Sequence, residues 1–361
     1  MKIPLIRKKI LDVAHKFFAV PKIYQFAHFF PAGDGLGNLG VILDKQYKRE
    51  GFETRLYSVE EPQSDFYQNI YNIRNFNYDL DETDTAILHF TMDSEINDLV
   101  AKLKCRKVFY YHNITPAGFF KNYDQYIYNI TLEGRRKLNR YAKYFDKCIT
   151  PSCFNKKELL ENGFKNIKVS PLPKDFSMLA QPPDENIKNT FSDDFVNFFF
   201  PGRILPHKNH KFLTDILLHY KSFYNKKTRL LLPGAFDDIE YKKDLEIYIA
   251  EKKVEDIIFF GRINQNILNA LYRTAHVFIC ASEHEGYCMP IIEAMYFSVP
   301  ILALDRGAVS ETVSDGGIVI KERNPELFCA AVSNILNDLK LANRLKKNQK
   351  RILRTRYGYF Y

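Results

Sequence analysis

The sequence has no long apolar run. None of its 361 residues falls in a stretch of 18 or more consecutive apolar side chains, so no helix is predicted to cross a membrane. The first twenty residues carry early positive charge, as a secretion signal would. However, Asp12, His15 and Lys16 interrupt the apolar segment that such a signal needs. The sequence therefore predicts a cytoplasmic protein.

Cysteine is sparse and unpatterned. Six cysteines are scattered through the chain, and none of them forms a Cys-x-x-Cys pair. This spacing argues against a disulfide-rich scaffold. It is typical of buried or inert thiols in a reducing compartment.

Acidic residues are missing from one segment near the end of the chain. Between Lys340 and Arg356 there are eight basic residues and no acidic one, and the net charge of the protein is +9. Such a segment can attract the phosphates of nucleic acid or of anionic lipid. The alternative is the solvated cationic face of a last helix. An amphipathic helix is also predicted over residues 5–18, and it could lie on an anionic membrane or pack on its own domain.

The chain does contain a regular alternation of short β-rich apolar runs with amphipathic stretches. This alternation predicts parallel sheets that are covered by helices on both faces. The length favours two domains, and the alternation pauses in the proline-containing stretch 171–194. We therefore predict an α/β protein with two doubly wound, Rossmann-like domains, residues 1–172 and 173–345, followed by a basic tail or cross-over helix, 346–361. Ligands of such sheets bind at the carboxyl ends of the strands, which would face each other across a cleft.

A glycine-rich turn follows the first predicted strand, Tyr24–Phe30. Gly35, Gly37 and Gly40 satisfy the pattern G-x-G-x-x-G, and Glu60 lies about twenty residues further on. Glycines let a backbone turn sharply and approach a phosphate that faces the N-terminus of the next helix. The pattern fits NAD, any other nucleoside diphosphate, or a simple strand-to-helix turn.

His112 and Asn113 end another predicted strand, Lys107–Tyr111. Side chains at the carboxyl end of a strand point into the cleft of an α/β domain. We predict that His112 donates a hydrogen bond there to a sugar hydroxyl or a phosphate. The alternative is a histidine that only caps the following turn.

The second domain begins with two cations on one loop. Gly202 lets the chain turn out of its first strand, and Arg203 and Lys208 follow. The fork of an arginine and the point charge of a lysine together suit a diphosphate, and they would stabilise a departing nucleoside diphosphate. The alternative is a pair of solvated surface cations.

The most specific stretch covers residues 282–295. Pro290 fits the first position of a helix, so residues 286–289 are predicted to form a loop whose amides face an anion at the helix N-terminus. Glu285 lies in the loop and Glu293 in the helix, and both carboxylates can accept hydrogen bonds from vicinal hydroxyls. Sugar and ribose are therefore the expected partners, whereas two isolated glutamates would be ordinary surface charges.

These motifs resemble those of the retaining glycosyltransferase family 4, whose fold is GT-B. The likeness rests on the paired glutamates of the run Glu285-Gly-Tyr-Cys-x-Pro-x-x-Glu293-Ala, and it extends over roughly residues 23–335. Further matches are Gly202-Arg203 with Lys208, Gly261-Arg262-Ile263, Asp305-Arg306-Gly307, Gly35 and His112-Asn113. The run Tyr-His-Asn-Ile-Thr-Pro that ends at Pro116 is similar to bacterial transferases of surface polysaccharide assembly.

The resemblance implies a role for each position. Arg203 and Lys208 would hold the donor diphosphate, Glu285 would contact the hydroxyls of the donor sugar, and Glu293 would bind the ribose. His112 would lie beside the transferring sugar. Other positions would complete the donor site: the turn at Gly202, the amides of Gly286, Tyr287 and Cys288, the base-lining residues Gly261, Arg262 and Ile263, and the loop of Gly35 and Gly37.

Two features depart from the family. Glycine is common where Cys288 stands, so the cysteine would narrow the phosphate loop. The helix that usually returns from the second domain to the first would be short here.

The resulting hypothesis is a retaining transferase that moves a hexose, mannose-type by the subgroup likeness, from a GDP- or UDP-sugar to a saccharide or lipid-linked saccharide in surface polysaccharide (O-antigen) biosynthesis. It would need no metal or other cofactor, because the two cations and the helix N-terminus replace the metal. Its partners would be donor, acceptor and an anionic membrane surface at the cytoplasmic side, with no nucleic acid. The alternatives are a nucleotide-sugar epimerase of the same fold and a non-catalytic basic protein that binds membrane or nucleic acid.

Overall fold

The computed structural model describes residues 20–33, 35–61 and 67–359. The helix predicted over residues 5–18 lies outside these ranges. Within them the chain forms two sheets in which every strand runs parallel to its neighbours. None of the helices in the described part of the chain has the length and the apolar character that a membrane span needs.

The first sheet has seven strands in the order β3-β2-β1-β4-β5-β6-β7. The order reverses beside β1, and this reversal opens a crevice at the carboxyl ends of β1 and β4. The strands are β1 (Lys22–Ala27), β2 (Glu53–Ser58), β3 (Ile70–Asn72), β4 (Thr85–Phe90), β5 (Arg106–Tyr111), β6 (Lys147–Thr150) and β7 (Ile167–Val169). The helices of this half are α1 (Gly35–Arg49), α2 (Glu95–Lys102), α3 (Gln125–Tyr141) and α4 (Cys153–Glu161).

The second sheet repeats this arrangement with six strands in the order β10-β9-β8-β11-β12-β13. Its strands are β8 (Val196–Phe199), β9 (Thr228–Pro233), β10 (Ile257–Gly261), β11 (Val277–Cys280), β12 (Ile301–Leu304) and β13 (Ile318–Ile320). The helices of this half are α5 (Phe176–Leu179), α6 (Glu185–Thr190), α7 (His210–Phe223), α8 (Ile239–Lys252), α9 (Gln265–Thr274), α10 (Met289–Tyr296), α11 (Val309–Val313), α12 (Pro325–Asn337) and α13 (Leu339–Tyr357). The prediction of two doubly wound α/β domains is confirmed.

The strand sequences explain this architecture. Every residue of β9, β11 and β12 is buried, which is what a parallel strand with helices on both sides requires. Arg229 in β9 is the charged exception, and its guanidinium donates to Asp193 at 2.6 Å and to the amide oxygen of Asn197 at 2.6 Å. The core of the second domain can therefore hold a cation whose donors are satisfied.

Two strands differ from expectation. β1 ends at Ala27 rather than at residue 30, because the chain turns out of the sheet at His28, whose carbonyl accepts from the amide of Val59 at 3.1 Å. Phe30 is buried instead beneath α1. β3 was not predicted, since three residues at the sheet edge are too few to show a period.

The segment that joins the two sheets runs from Val169, where β7 ends, to Val196, where β8 begins. The predicted domain boundary at 172/173 lies within this segment.

Helix α13 begins before the predicted tail and packs on α10 and α12. Its Gln349 is fully buried and donates to the carbonyls of Val299 and Gly316, both at 2.9 Å. Much of the basic segment is thus a helix that is fixed to the second domain.

Candidate active site

Three glycines stand at the carboxyl ends of the neighbouring strands β10, β9 and β8. Gly202 and Gly261 were predicted here, whereas Gly234 was not. A Cβ on Gly234 would lie 1.7 Å from the carbonyl oxygen of Gly202, and the Gly234 amide donates to the Gly261 carbonyl at 3.0 Å. Its φ of +156° also disfavours a side chain. The glycines let the three turns pack closely at the floor of the cleft; the run Leu-Pro-Gly234 after a strand could have indicated the third.

The loop from Glu285 to Cys288 leads into α10, as predicted. Cys288 is the N-cap with a φ of +69°, which lies in the left-handed region that glycine adopts more easily. Pro290 is the second residue of the helix rather than the first. The loop is held from behind, because the carbonyl of Glu285 accepts from the amide of Ala308 at 2.8 Å, and the carbonyl of Tyr287 accepts from the hydroxyl of Thr312 at 2.6 Å.

Lys208 and Glu285 form a buried ion pair. Their Nζ and Oε1 atoms are 2.6 Å apart, and the side chains are 17% and 8% exposed. The hydroxyl of Ser282 donates to the same carboxylate oxygen at 2.7 Å. Burial lowers the pKa of Lys208, but the Glu285 carboxylate more than offsets this, so the pKa lies above its usual value. Lys208 is therefore a permanent cation beside the loop.

Glu293 is held by two residues that the sequence had not indicated as partners. Its Oε2 accepts from the hydroxyl of Tyr272 at 2.8 Å, and its Oε1 pairs with Lys174 of the interdomain linker. Burial, together with the Glu293 carboxylate, raises the pKa of Tyr272 well above the usual value, so its hydroxyl stays a donor. Lys174 was missed because a lysine in a proline-containing linker has no pattern that points to a carboxylate 119 residues away.

Arg203 pairs with Asp237, whereas Lys208 pairs with Glu285. The Nε of Arg203 lies 2.5 Å from Oδ2 of Asp237, and Arg262 lies 3.6 Å from the other oxygen of the same carboxylate. Arg262 also donates to the carbonyl of Ala32 in the first domain at 3.4 Å. Ile263 beside it is partly buried against the core of the second domain. The predicted diphosphate cations are thus divided between two carboxylates, Glu285 and Asp237.

His112 lies directly against the loop of the second domain. A Cβ on Gly286 would be 2.6 Å from the carbonyl oxygen of His112 and 2.9 Å from the Cβ of Asn113. The amide oxygen of Asn113 accepts from Nε2 of His284 at 2.8 Å, and the hydroxyl of Ser152 donates to the carbonyl of Gly286 at 2.9 Å. The structure therefore brings His112 from the first domain together with the Glu285 loop of the second.

The glycine-rich turn has a packing role in its own domain. A Cβ on Gly37 would lie 1.9 Å from the carbonyl oxygen of Pro31, and one on Gly40 would lie 2.8 Å from the ring of Phe30. Gly35 begins α1 and has open space around it. Two of the three glycines are thus required by the turn itself, whatever it binds.

Comparisons with known proteins bear on the family and the fold of this chain. Residues 183–352 match the family model "Glycosyl transferases group 1". This match lies in the second half of the chain and covers slightly less than half of its residues. Among curated relatives, the amylovoran biosynthesis glycosyltransferase AmsD of Erwinia amylovora is 29% identical over 170 residues, which cover 45% of each chain. The O-antigen chain mannosyltransferase RfbU of Salmonella typhimurium is 25% identical over 142 residues, 38% of each chain.

These sequence matches are partial, but the structural matches cover nearly the whole chain. The chain spans about 42–45% of the length of the first curated relatives it matches. HepE of Anabaena in complex with UDP-glucose has a TM-score of 0.72 at 15% identity over 93% of this chain and 95% of its own. Sucrose-phosphate synthase of Thermosynechococcus elongatus has a TM-score of 0.70 at 14% identity with the same coverage. At this identity the likeness shows the fold, and the predicted GT-B fold is confirmed.

Proposed function

We propose that this chain is a retaining glycosyltransferase that moves a hexose from a nucleoside-diphosphate sugar to a saccharide acceptor. The observation that carries the proposal is the cluster of Lys208, Glu285 and Glu293 around α10, in the group 1 domain and beside His112 of the other domain. Carboxylates that accept from vicinal hydroxyls match the sugar and the ribose of such a donor, and a permanent cation with a helix N-terminus matches its diphosphate.

The proposal assigns each part of the donor to a different element. The diphosphate would lie between Lys208 and the amides at the start of α10, with Arg203 on the neighbouring turn. The ribose would donate to Glu293, and the base would lie along the turn that begins at Gly261. Because the leaving diphosphate gains negative charge in the transition state, the fixed cation and the helix N-terminus would stabilise it there more than in the ground state. Attack from the face that the diphosphate leaves needs no dedicated base and gives retention.

We propose that the reaction needs no metal. The carboxylate of Glu285 and the thiols of Cys280 and Cys288 each offer a ligand atom within 4.8 Å of the others. The Lys208 ammonium already lies on that carboxylate at 2.6 Å, so a divalent cation would have to displace it at a cost in electrostatic repulsion. Lys208 supplies the positive charge that a divalent metal ion supplies in metal-dependent transferases.

The proposed acceptor class is inferred from the names of the curated relatives. Relatives are named for amylovoran biosynthesis, for O-antigen mannosyl transfer and for lipopolysaccharide N-acetylglucosamine transfer. We therefore propose an acceptor that is a saccharide or lipid-linked saccharide of a surface polysaccharide, and a mannose-type hexose carried by GDP or UDP.

A thermal-shift panel with UDP, GDP, ADP, their sugars, NAD and NADP tests the donor class. A nucleoside diphosphate at a hundred times its Kd adds about 2.7 kcal/mol to the free energy of unfolding, or roughly 5–10 °C in Tm for a domain of this size. The shift should persist in EDTA and should be lost in Glu293→Ala and Arg203→Ala. Glu246→Ala, an exposed glutamate of α8, is the control that should keep it.

The other outcomes of this panel are equally informative. A shift by NAD alone would contradict the transferase and restore the dinucleotide interpretation of the glycine-rich turn. If the bound sugar nucleotide is converted to its epimer without any added saccharide, the epimerase is the correct function. A shift that disappears in EDTA would overturn the metal-free reaction.

We further propose that α13 docks on an anionic membrane at the cytoplasmic side. Its exposed residues Lys340, Arg344, Lys347, Arg351 and Arg354 recur every three or four positions and so share one face. Arg351 alone among these five has an acidic partner in the described chain, Asp315 at 2.5 Å. Beside this basic face of α13 lies a groove of about 440 Å³, which is lined by Ser298, Asn343, Lys346, Lys347 and Lys350.

Vesicle co-sedimentation tests this surface. Vesicles with one third phosphatidylglycerol should bind the protein, and Lys340→Glu/Lys347→Glu/Arg354→Glu should weaken binding by roughly a hundredfold or more, at about 1 kcal/mol per basic residue. Lys242→Glu/Lys243→Glu/Lys252→Glu on α8 makes the same change of charge elsewhere and should bind nearly as wild type. Equal weakening in both variants, or no binding at physiological salt, would contradict docking by α13.

A further inference from the structure

A chain of hydrogen bonds runs behind His112, which follows β5, through the neighbouring strands β4 and β1 to helix α1. Nε2 of His112 lies 2.9 Å from Nδ1 of His89 in β4, and Nε2 of His89 lies 3.0 Å from the amide oxygen of Gln25 in β1. The amide nitrogen of Gln25 then donates to the carbonyl of Gly40 in α1 at 3.0 Å. Gln25 and His89 are 0% and 1% exposed, so water does not compete for these bonds.

The direction of the chain follows from its fixed end. The carbonyl of Gly40 can only accept, so the nitrogen of the Gln25 amide faces it and the oxygen faces His89. An amide oxygen cannot donate, so Nε2 of His89 must carry the proton. A neutral imidazole has one N–H, and Nδ1 of His89 is therefore the acceptor for Nε2–H of His112. The remaining ring nitrogen of His112, Nδ1, is left with a lone pair.

The surroundings keep both rings neutral and in place. Burial, with a smaller contribution from His112, holds the pKa of His89 well below its usual value. Burial lowers the pKa of His112 to about 3. The ring of Tyr110 stacks on both histidines, with centroid distances of 5.4 Å to His89 and 4.6 Å to His112. Within residues 20–33, 35–61 and 67–359, no hydrogen-bond partner approaches Nδ1 of His112.

We propose that Gln25 and His89 are positioning residues that fix His112 as a hydrogen-bond acceptor, so that its Nδ1 binds a hydroxyl of the transferring sugar. This rests on the proposed transferase and refines it. The sequence predicted that His112 donates to a hydroxyl or a phosphate. The hydrogen bonds to His89 and Gln25 instead leave Nδ1 of His112 with a lone pair, which can only accept. Because a lone pair repels a phosphate oxygen, the diphosphate is bound by Lys208 and the N-terminus of α10 rather than by His112. His112 instead recognises the sugar through one of its hydroxyls.

The tautomer can be measured without turnover. In protein with ¹⁵N-labelled histidine, assigned by loss of one resonance set in His112→Gln, Nδ1 of His112 should show the shift of an unprotonated nitrogen and Nε2 that of a protonated one. Gln25→Leu removes the acceptor that holds the proton of His89 on Nε2, so His89 can carry its proton on Nδ1 and donate to Nε2 of His112. His112 should then become the Nδ1–H tautomer. Failure of this result would leave the transferase assignment untouched, because no substrate is involved.

Kinetics separate positioning from a merely structural role. His89→Phe removes the acceptor for His112 and should lower kcat by roughly 10- to 100-fold, with the Kd of the nucleoside diphosphate changed less than about twofold. His89→Asn restores an acceptor oxygen next to the ring and should recover most of the rate. His219→Phe, a partly exposed histidine of α7, should behave as wild type.

Three results would overturn the inference. One is an Nδ1–H tautomer of His112 in the wild type. The second is no change in the tautomer of His112 in Gln25→Leu, which would mean that Gln25 does not set that tautomer. The third is a loss in His89→Phe that appears equally in nucleotide affinity and in kcat and is not rescued by asparagine, as expected for general damage to the sheet.

Discussion

Replacing Lys208 by methionine is expected to lower kcat/KM for the nucleotide sugar by about a thousandfold, with most of the loss in kcat. Methionine keeps an unbranched side chain of similar length but has no charge. The Lys208 side chain is only 17% exposed, so solvent replaces little of the lost charge. Because the departing diphosphate gains charge as the bond breaks, a buried cation beside it stabilises the transition state more than the bound donor. Initial rates over a range of donor concentrations measure both constants.

The same substitution leaves the carboxylate of Glu285 buried with Ser282 as its remaining side-chain donor. Removing one partner of a buried ion pair typically lowers the free energy of unfolding by about 3–5 kcal/mol, so Lys208→Met should also melt earlier. The double variant Lys208→Met/Glu285→Gln carries neither charge. It should recover most of the lost stability and none of the turnover, which separates the chemical role of the pair from its structural one.

Lys221→Met is the matched control. Lys221 lies near the end of α7 and pairs with Asp256, whose side chain is 37% exposed, and such pairs contribute about 0–1 kcal/mol. The kcat/KM of this variant for the nucleotide sugar should stay within about twofold of the wild-type value. If Lys208→Met folded, bound the nucleotide and turned over within tenfold of wild type, Lys208 would not be the cation that meets the diphosphate.

The parts of the site that were predictable lie close together in sequence. The loop that carries Glu285 and the helix that carries Glu293 follow one strand directly, and Gly202 and Lys208 follow another. A strand, a turn and a helix N-terminus place such residues almost without reference to the rest of the chain. Local sequence therefore predicted that these residues stand at strand-to-helix turns, and the alternation of apolar runs with amphipathic stretches predicted the fold itself.

The partners of these residues could not be predicted in the same way. Lys174 reaches Glu293 from the linker, Asp237 reaches Arg203 from the next turn, and His89 reaches His112 from a neighbouring strand. Each contact depends on the order of strands in a sheet or on the closure of two domains, and neither leaves a spacing that can be counted along the chain. His89 lies in an apolar strand, and nothing in the sequence around it indicated a contact with His112.

The closure of the domains is specified by hydrogen bonds across the gap between them. Glu311 of α11 accepts from the backbone amide of Cys153 at 2.7 Å, at the start of α4. That position adds a carboxylate to the positive end of a helix. Tyr123 donates to Asp244 at 2.7 Å across the same gap. Together with the contact between Gly286 and His112, these bonds hold the Glu285 loop against the first domain.

Replacing Gly286 by alanine is expected to reduce kcat/KM by about a hundredfold, because displacing reacting groups by about 1 Å costs that much. A Cβ would lie 2.6 Å from the His112 carbonyl and 2.9 Å from the Cβ of Asn113. Neither is the end of a flexible side chain, so the two domains must separate or the loop must shift. Each domain keeps its own core, and Tm should change little. Steady-state kinetics and the radius of gyration from small-angle scattering measure the two effects.

Gly118→Ala provides the comparison, since a Cβ there meets nothing within 4 Å and the residue lies, like His112, just after β5 in the first domain. It should leave both rate and radius unchanged. A Gly286→Ala protein that kept full activity and an unchanged radius would show that the close approach of the loop to His112 is not the arrangement in which sugar is transferred. A larger radius with a hundredfold loss would mean instead that the carboxylate of Glu285 and the ring of His112 must act on one sugar at the same time, which is why the loop carries a glycine at the point where the domains meet.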